Sequence, residues 1–242
     1  MIDLHCHLLP GIDDGPATLD EALAMARLAT AHGIEEIFVT PHLHVGQWDN
    51  DRASITAAAE SFRAALAEAG IALRVGYAAE VRLAYDIVPW IEEERVPFLG
   101  EYQGERVLLL ELPHSHVPVG ADKLVAWLRA RGIRPMIAHP ERNKDILRDG
   151  AKLLPFVREG CLVQLTADAV AGEFGAACAL RARQFLEEGW VTVLASDAHD
   201  TVHRPPRIAP GREAAARVVG EAEAQRLTLD NPRRIVRAGE PR

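Results

Sequence analysis

His5 and His7 stand two residues apart near the start of the chain, and Asp13-Asp14-Gly15 follows them. In a β-strand, side chains two apart point to the same face. Two imidazoles on one face, followed by carboxylates in a turn, can begin a metal site. Similar donors recur at His42, Glu80, Glu111, His139, Asp197 and His199. A mixed imidazole and carboxylate set suits manganese, iron or zinc better than magnesium, which prefers oxygen donors.

Such donors cooperate only if the chain brings them to one place. Met1 to Leu4 reads as a short buried strand. The Thr18-Leu19-Asp20-Glu21 capping box opens a helix that runs to His32 and stops at Gly33. Further strands are predicted over Glu36 to Thr40, Leu73 to Ala79, Val107 to Leu110, Arg134 to Ala138, Leu162 to Thr166 and Trp190 to Leu194. Helices are predicted between them, at Ala53 to Ala69, Tyr85 to Glu94, Ala121 to Arg131, before Gly160, and as one long helix ending near Glu188. Two more, around Arg212 to Val219 and Asn231 to Arg237, close the chain.

Seven strands alternating with helices imply a parallel α/β sheet, and their even spacing favours a closed (β/α)-barrel. Most of these candidate donors then fall at strand ends. His5 and His7 end strand one, His42 follows strand two, Glu80 ends strand three and Glu111 ends strand four. His139 follows strand five, and Asp197 and His199 follow strand seven. Strand six lacks such a residue unless Asp168 is counted. In a parallel barrel these ends meet at one rim, where active sites lie. Residues 1–242 are expected to form a single domain, since no linker, charge block or low-complexity stretch divides them.

The formal net charge of -8 argues against general nucleic-acid binding, which needs a basic face. Three cysteines in 242 residues suggest a reducing compartment without a disulfide framework. No leader and no membrane-spanning run is legible, so a cytoplasmic protein without membrane insertion is expected. A cysteine nucleophile that works beside a cradling arginine carries that Arg six residues after its Cys. Those places hold Ile12, Ala167 and Gln184 after Cys6, Cys161 and Cys178.

The motifs Leu8-Pro10-Gly11-Asp13-Asp14-Gly15, Thr40-Pro41-His42, His139-Pro140-Glu141-Arg142 and Ser196-Asp197-Ala198-His199 stand in an order that resembles the PHP superfamily (polymerase and histidinol phosphatase). Within it the chain is similar to the bacterial manganese-dependent protein-tyrosine phosphatases of capsule and exopolysaccharide systems. The resemblance implies a distorted (β/α)7 TIM-like barrel and three divalent transition-metal ions, manganese first, with iron or zinc as alternatives. The implied ligands are His5, His7, Asp14, His42, Glu80, Glu111, His139, Asp197 and His199, with Asp14 preferred over Asp13. Arg142 and Arg204 match the family's phosphate-binding arginines, although Arg207 lies close to the second in sequence.

The implied reaction is one-step hydrolysis of phosphotyrosine by a hydroxide held between metals, with a bacterial tyrosine-kinase tail as the protein substrate. A phenolate leaving group, with a phenol pKa near 10, needs less protonation than an alkoxide. Rival readings are a histidinol-phosphate phosphatase, a nuclease or polymerase-associated domain, and a non-catalytic regulatory protein of the same fold. The acidic charge disfavours the nuclease, and the full ligand set disfavours the regulator. His44, His114, His116 and His203 read as polar loop residues near the rim in preference to substrate contacts, and Trp48 as a wall or a packing anchor.

Overall fold

The computed structural model describes residues 1–237. Its strands are β1 (Ile2–Cys6), β2 (Glu36–Val39), β3 (His42–Leu43), β4 (Arg74–Tyr77), β5 (Glu80–Arg82), β6 (Gly100–Tyr102), β7 (Glu105–Glu111), β8 (Ile133–Ala138), β9 (Leu162–Thr166) and β10 (Val193–Ala195). β1, β2 and β4 pair in parallel, and β3, β5, β7, β8, β9 and β10 form a second parallel row.

The two rows are parts of one ring. β2 and β3 are halves of the second barrel strand, and β4 and β5 are halves of the third. Hydrogen bonds bridge their breaks: Thr40 N–H donates to Cys6 O (2.8 Å), Ala78 N–H to Val39 O (2.9 Å) and Glu80 N–H to Pro41 O (3.1 Å). The last strand closes onto the first, with Asp197 N–H donating to His5 O and His7 N–H to Ala198 O, both at 2.8 Å. The result is a distorted (β/α)7 barrel.

Alternation along each strand builds the core. On β7, Val107, Leu109 and Glu111 share one face, and Leu108 and Leu110 share the other. The first face joins Met136, Ala138, Val193 and Ala195 in a small apolar cluster below the polar rim. The second joins the buried faces of the surrounding helices in the main cluster. α1 (Leu19–Ala31) starts at the expected capping box, with Thr18 and Glu21 each accepting from the other's backbone N–H. α2 (Arg52–Glu68) carries a second box, Asp51 with Ser54, that its sequence does not advertise as strongly.

Several expectations need correction. β6 runs antiparallel to β7, the only such pair among the described residues. The connecting Gln103-Gly104 has φ 54° and 80°, as a two-residue hairpin turn of the mirror type requires. The long helix before Glu188 is two helices, which with those between are α3 (Ile87–Glu92), α4 (Ala121–Arg129), α5 (Lys144–Arg148), α6 (Leu154–Arg158), α7 (Ala167–Ala171) and α8 (Ala176–Glu187). Gly172 (φ 100°) and Gly175 (φ 86°) make the break between α7 and α8. The seventh barrel strand starts at Val193, not Trp190, because Trp190 leaves the sheet to stack on Phe185 with ring centroids 5.5 Å apart. Then come α9 (Ala209–Val219), which begins before Arg212 because Pro210 fits a first turn, α10 (Glu221–Gln225), a π-helical turn at Arg226–Asp230, and α11 (Asn231–Arg237). Among the described residues, no helix is long and apolar enough to cross a membrane.

α9 crosses α7 at Gly211, where an added Cβ would lie 2.4 Å from Ala167 O. Gly211→Ala is therefore expected to destabilise the fold by about 1–3 kcal/mol, as overpacking against backbone does. A shift of the urea midpoint at unchanged slope is the measurement; an unshifted midpoint contradicts the close approach.

Candidate metal centre

The barrel rim collects all nine residues expected as ligands. Glu80, at the start of β5, is 1% exposed and lies at the centre. Its Oε2 is 3.4 Å from His5 Nε2, 3.4 Å from His7 Nε2 and 2.9 Å from His42 Nδ1. Its Oε1 lies 2.8 Å from His139 Nε2. Asp197 Oδ1 is 3.3 Å from His5 Nε2 and 3.7 Å from His199 Nδ1. Asp14 Oδ1 stands between His42 Nε2 (3.3 Å) and His199 Nε2 (3.2 Å). Four overlapping groups emerge, each with its donor atoms within 4.8 Å of one another: His7, Asp14, His42 and His199; His5, His7 and Glu80; His5, His139 and Asp197; His42, Glu80 and Glu111.

Three of the imidazoles are aimed from behind. His7 Nδ1 is 2.6 Å from Asp13 Oδ2, His5 Nδ1 is 2.9 Å from Gln164 Oε1, and His199 Nδ1 is 3.0 Å from Asp197 O. Each contact is satisfied by an Nδ1–H donor, which leaves Nε2 free to bind a cation. Asp13 thus supports the site from outside the donor groups, and also accepts from His42 N–H.

The donor set fits metal ions. The Nε2 atoms of His5 and His7 face each other at 3.3 Å, an arrangement that repels unless a proton or a cation lies between them. Among the described residues, buried Glu80 Oε2 and Glu111 Oε2 accept no well-aligned hydrogen bond. Burial opposes charge on His42, but Glu80 and Asp14 outweigh it and raise its pKa to about 11. Burial likewise opposes the His7 cation, and Asp13 raises it to about 9. Glu111 moves to about 7, because burial and the neighbouring Glu80 charge disfavour its anion. His139 falls to about 4, from burial and the Arg142 charge.

Arg142 and Arg204 converge on one atom, Asp197 Oδ2, with Arg204 Nη2 at 2.5 Å. Arg207 is directed elsewhere and pairs with Asp168 at 2.9 Å. The cavity that joins these groups has a volume of about 210 Å3, and Gln47 and Trp48 form one wall. The Trp48 indole stacks on His42, with centroids 4.8 Å apart and planes 18° from parallel. His44, His114, His116 and His203 do not line it.

Sequence reasoning missed the supporting residues. Buried Asp3 accepts from Ser196 Oγ (2.5 Å) and Ser196 N–H (3.0 Å), and burial raises its carboxyl to about 6. Its place two residues before His5, on the same strand face, was the available signal. Arg82, two residues after Glu80, pairs with Glu111 at 3.1 Å. Two donor residues have left-handed backbones, His139 at φ 32° and Asp197 at φ 53°. Strain of this kind concentrates at functional sites.

A barrel with a histidine and carboxylate cluster on its strand ends defines the class of protein. More particularly, residues 1–237 match the model of the family described as capsular polysaccharide synthesis, CpsB/CapC, and the chain belongs to that family. It is 33% identical to the tyrosine-protein phosphatase YwqE of Bacillus subtilis over 204 residues, 84% of this chain and 79% of that one. It is 28% identical to the tyrosine-protein phosphatase CpsB of Streptococcus pneumoniae, with 98% of each chain covered. A crystal structure from work on YwqE and CpsB, described there as unique metal-dependent tyrosine phosphatases, superposes with a TM-score of 0.90 at 31% identity, covering 98% of this chain and 94% of that one. The phosphotriesterase homology protein of Escherichia coli, at 14% identity and a TM-score of 0.58 over 97% of this chain and 98% of its own, shares the fold.

The raised pKa values give a signed prediction. In the metal-free protein, the stabilisation from protonated His7 and His42 is complete below about pH 6.5, the ordinary imidazole value. It is lost as the pH rises past about 9 for His7 and about 11 for His42. A metal must displace those protons, so apparent manganese affinity should rise from about pH 6 to about pH 8. Titration calorimetry on chelator-stripped protein in buffers of different ionisation enthalpy should detect released protons. Affinity independent of pH contradicts this account.

Proposed function

We propose that the chain is a metal-dependent protein-tyrosine phosphatase of a capsule or exopolysaccharide system. It works in the cytoplasm as one domain, and its substrate is a phosphotyrosyl protein such as a bacterial tyrosine-kinase tail. The ligands are His5, His7, Asp14, His42, Glu80, Glu111, His139, Asp197 and His199, and they hold three divalent transition-metal ions, manganese first. The observation that carries the reading is the convergence of these donors, seven of which line one cavity together with two guanidinium groups. The names of the relatives support it.

When bound, the metals supply Lewis acidity that activates water and offsets charge on the phosphoryl oxygens. The chain's own groups do the rest. Arg142 and Arg204, already directed to one point, receive phosphate oxygens through bidentate forks. Trp48 provides an apolar wall for the tyrosyl ring. Glu80 and Asp197 keep the imidazoles fixed while the phosphoryl group is transferred to water.

No cysteine fits the role of nucleophile. Cys6 is fully buried and donates to Phe38 O, and burial raises the Cys161 thiol to about 12. Burial and the Glu141 charge also raise Cys178, and no cysteine lines the cavity.

Steady-state kinetics with manganese test the reading. Phosphotyrosyl peptides should give a higher kcat/KM than phosphoseryl peptides or histidinol phosphate. Arg142→Ala should lower that value by about a hundredfold, as loss of a charge-stabilising donor does, with metal content unchanged. Cys6→Ser, Cys161→Ser and Cys178→Ser should each retain most of the turnover. A tenfold preference for histidinol phosphate, about 1.4 kcal/mol in the transition state, would transfer the assignment to that substrate.

A further inference from the structure

Beside the metal centre lies a second cavity, of about 390 Å3, between the loop after β1, the first turns of α1, and Asp200 and Thr201. It adjoins the first, and Asp14 and His199 line both. Its floor is apolar, built from the buried Pro16 and Met25, with the exposed Ala17 and Ala24 beside them. Its lip is acidic, with Glu21 and Asp200, and neither Lys nor Arg lines it.

Both carboxylates are fixed in place. Glu21 Oε2 accepts from the N–H groups of Ala17 (2.9 Å) and Thr18 (3.1 Å). Asp200 Oδ1 accepts from those of Val202 (2.6 Å), His203 (2.5 Å) and Arg204 (3.2 Å). Among the described residues, their other oxygens have no partner. An apolar floor below a preorganised acidic lip complements a side chain with an aliphatic stem and a cationic tip.

We infer that this cleft is a specificity subsite for a Lys or Arg of the substrate chain, a few residues from the phosphotyrosine. The inference rests on the phosphatase reading. A substrate whose phosphate lies at Arg142 and Arg204 has its flanking chain at the mouth of the metal cavity, and the cleft borders that cavity at Asp14 and His199. The chain's overall charge of -8 attracts any cationic peptide weakly, whereas the cleft rewards one position only.

The test uses manganese-loaded enzyme and phosphotyrosyl peptides in which Lys, norleucine or Glu is scanned through the flanking positions. At one position Lys should give a kcat/KM about fivefold above norleucine, the size of an exposed ion pair, and added salt should erode the gain. Glu21→Gln keeps a capping side chain and removes the charge. It should reduce the Lys advantage severalfold. Ala24→Phe, on the exposed face of α1, should fill the cleft and lower kcat/KM on all the peptides while leaving phenyl phosphate turnover unchanged. Lys no better than norleucine at every position overturns the subsite, as does an advantage that survives both variants. An enzyme that hydrolyses neither phenyl phosphate nor any peptide overturns the phosphatase reading itself.

Discussion

A carboxylate buried among imidazoles cannot stand alone. Glu80 has four histidine nitrogens within 3.4 Å, and almost none of it reaches water. Desolvation of such an anion costs several kcal/mol unless positive charge compensates it. Without metal, protons on the imidazoles provide that charge; with metal, the ions replace them. Everything else at the rim follows from having to assemble this cluster at fixed positions. The donors come from separate strands, so only a closed ring with its strand ends in register can hold them.

The backbone shows how tightly the ring is held at that end. Gly15 approaches so closely that a Cβ there would lie 2.4 Å from His7 O, which explains why a glycine must follow Asp14 in this loop. Asp197 adopts a left-handed backbone directly after Ser196, whose hydroxyl and N–H are both held by Asp3. Asp3 therefore ties the end of the seventh barrel strand to the first, one layer below the donors. His139 is the other strained donor, and Glu141 beside it anchors the turn by accepting from Thr166 N–H at 2.8 Å. Local strain at two donors is offset by buried hydrogen bonds immediately behind them.

Most members of the cluster were legible as candidates because they lie at or just after the end of an apolar strand run, where the pattern changes from apolar to polar; Asp14, in the loop after β1, is the exception. Val107 to Leu110 followed by Glu111 is the clearest instance. The breaks within the second and third barrel strands were not legible, since Pro41 and the Ala78-Ala79 pair read equally well as strand interior or as boundary. Nor was the second layer. Gln164 and Asp3 look like ordinary polar residues until the ring brings Gln164 to His5 and Asp3 to Ser196, 159 and 193 residues away in the chain. Arg204 and Arg207 share one loop, and only the positions of Asp197 and Asp168 separate their roles.

Asp197 also resolves how an acidic protein can receive an anionic group. Its two oxygens face different partners: Oδ1 faces the imidazoles of His5 and His199, and Oδ2 faces the guanidinium groups of Arg142 and Arg204. The same carboxylate that completes a donor group therefore holds both arginines at its border. Burial opposes its charge, yet His5 and the two arginines keep its pKa well below the ordinary carboxylate range. Local charge of this kind acts over a few ångströms, whereas the net negative charge is spread over the surface and screened beyond about 8–10 Å in physiological salt. On the phosphatase reading, a phosphate at the rim would meet fixed cationic groups, and its oxygens would compete with Asp197 Oδ2 for arginine N–H donors that are already aligned.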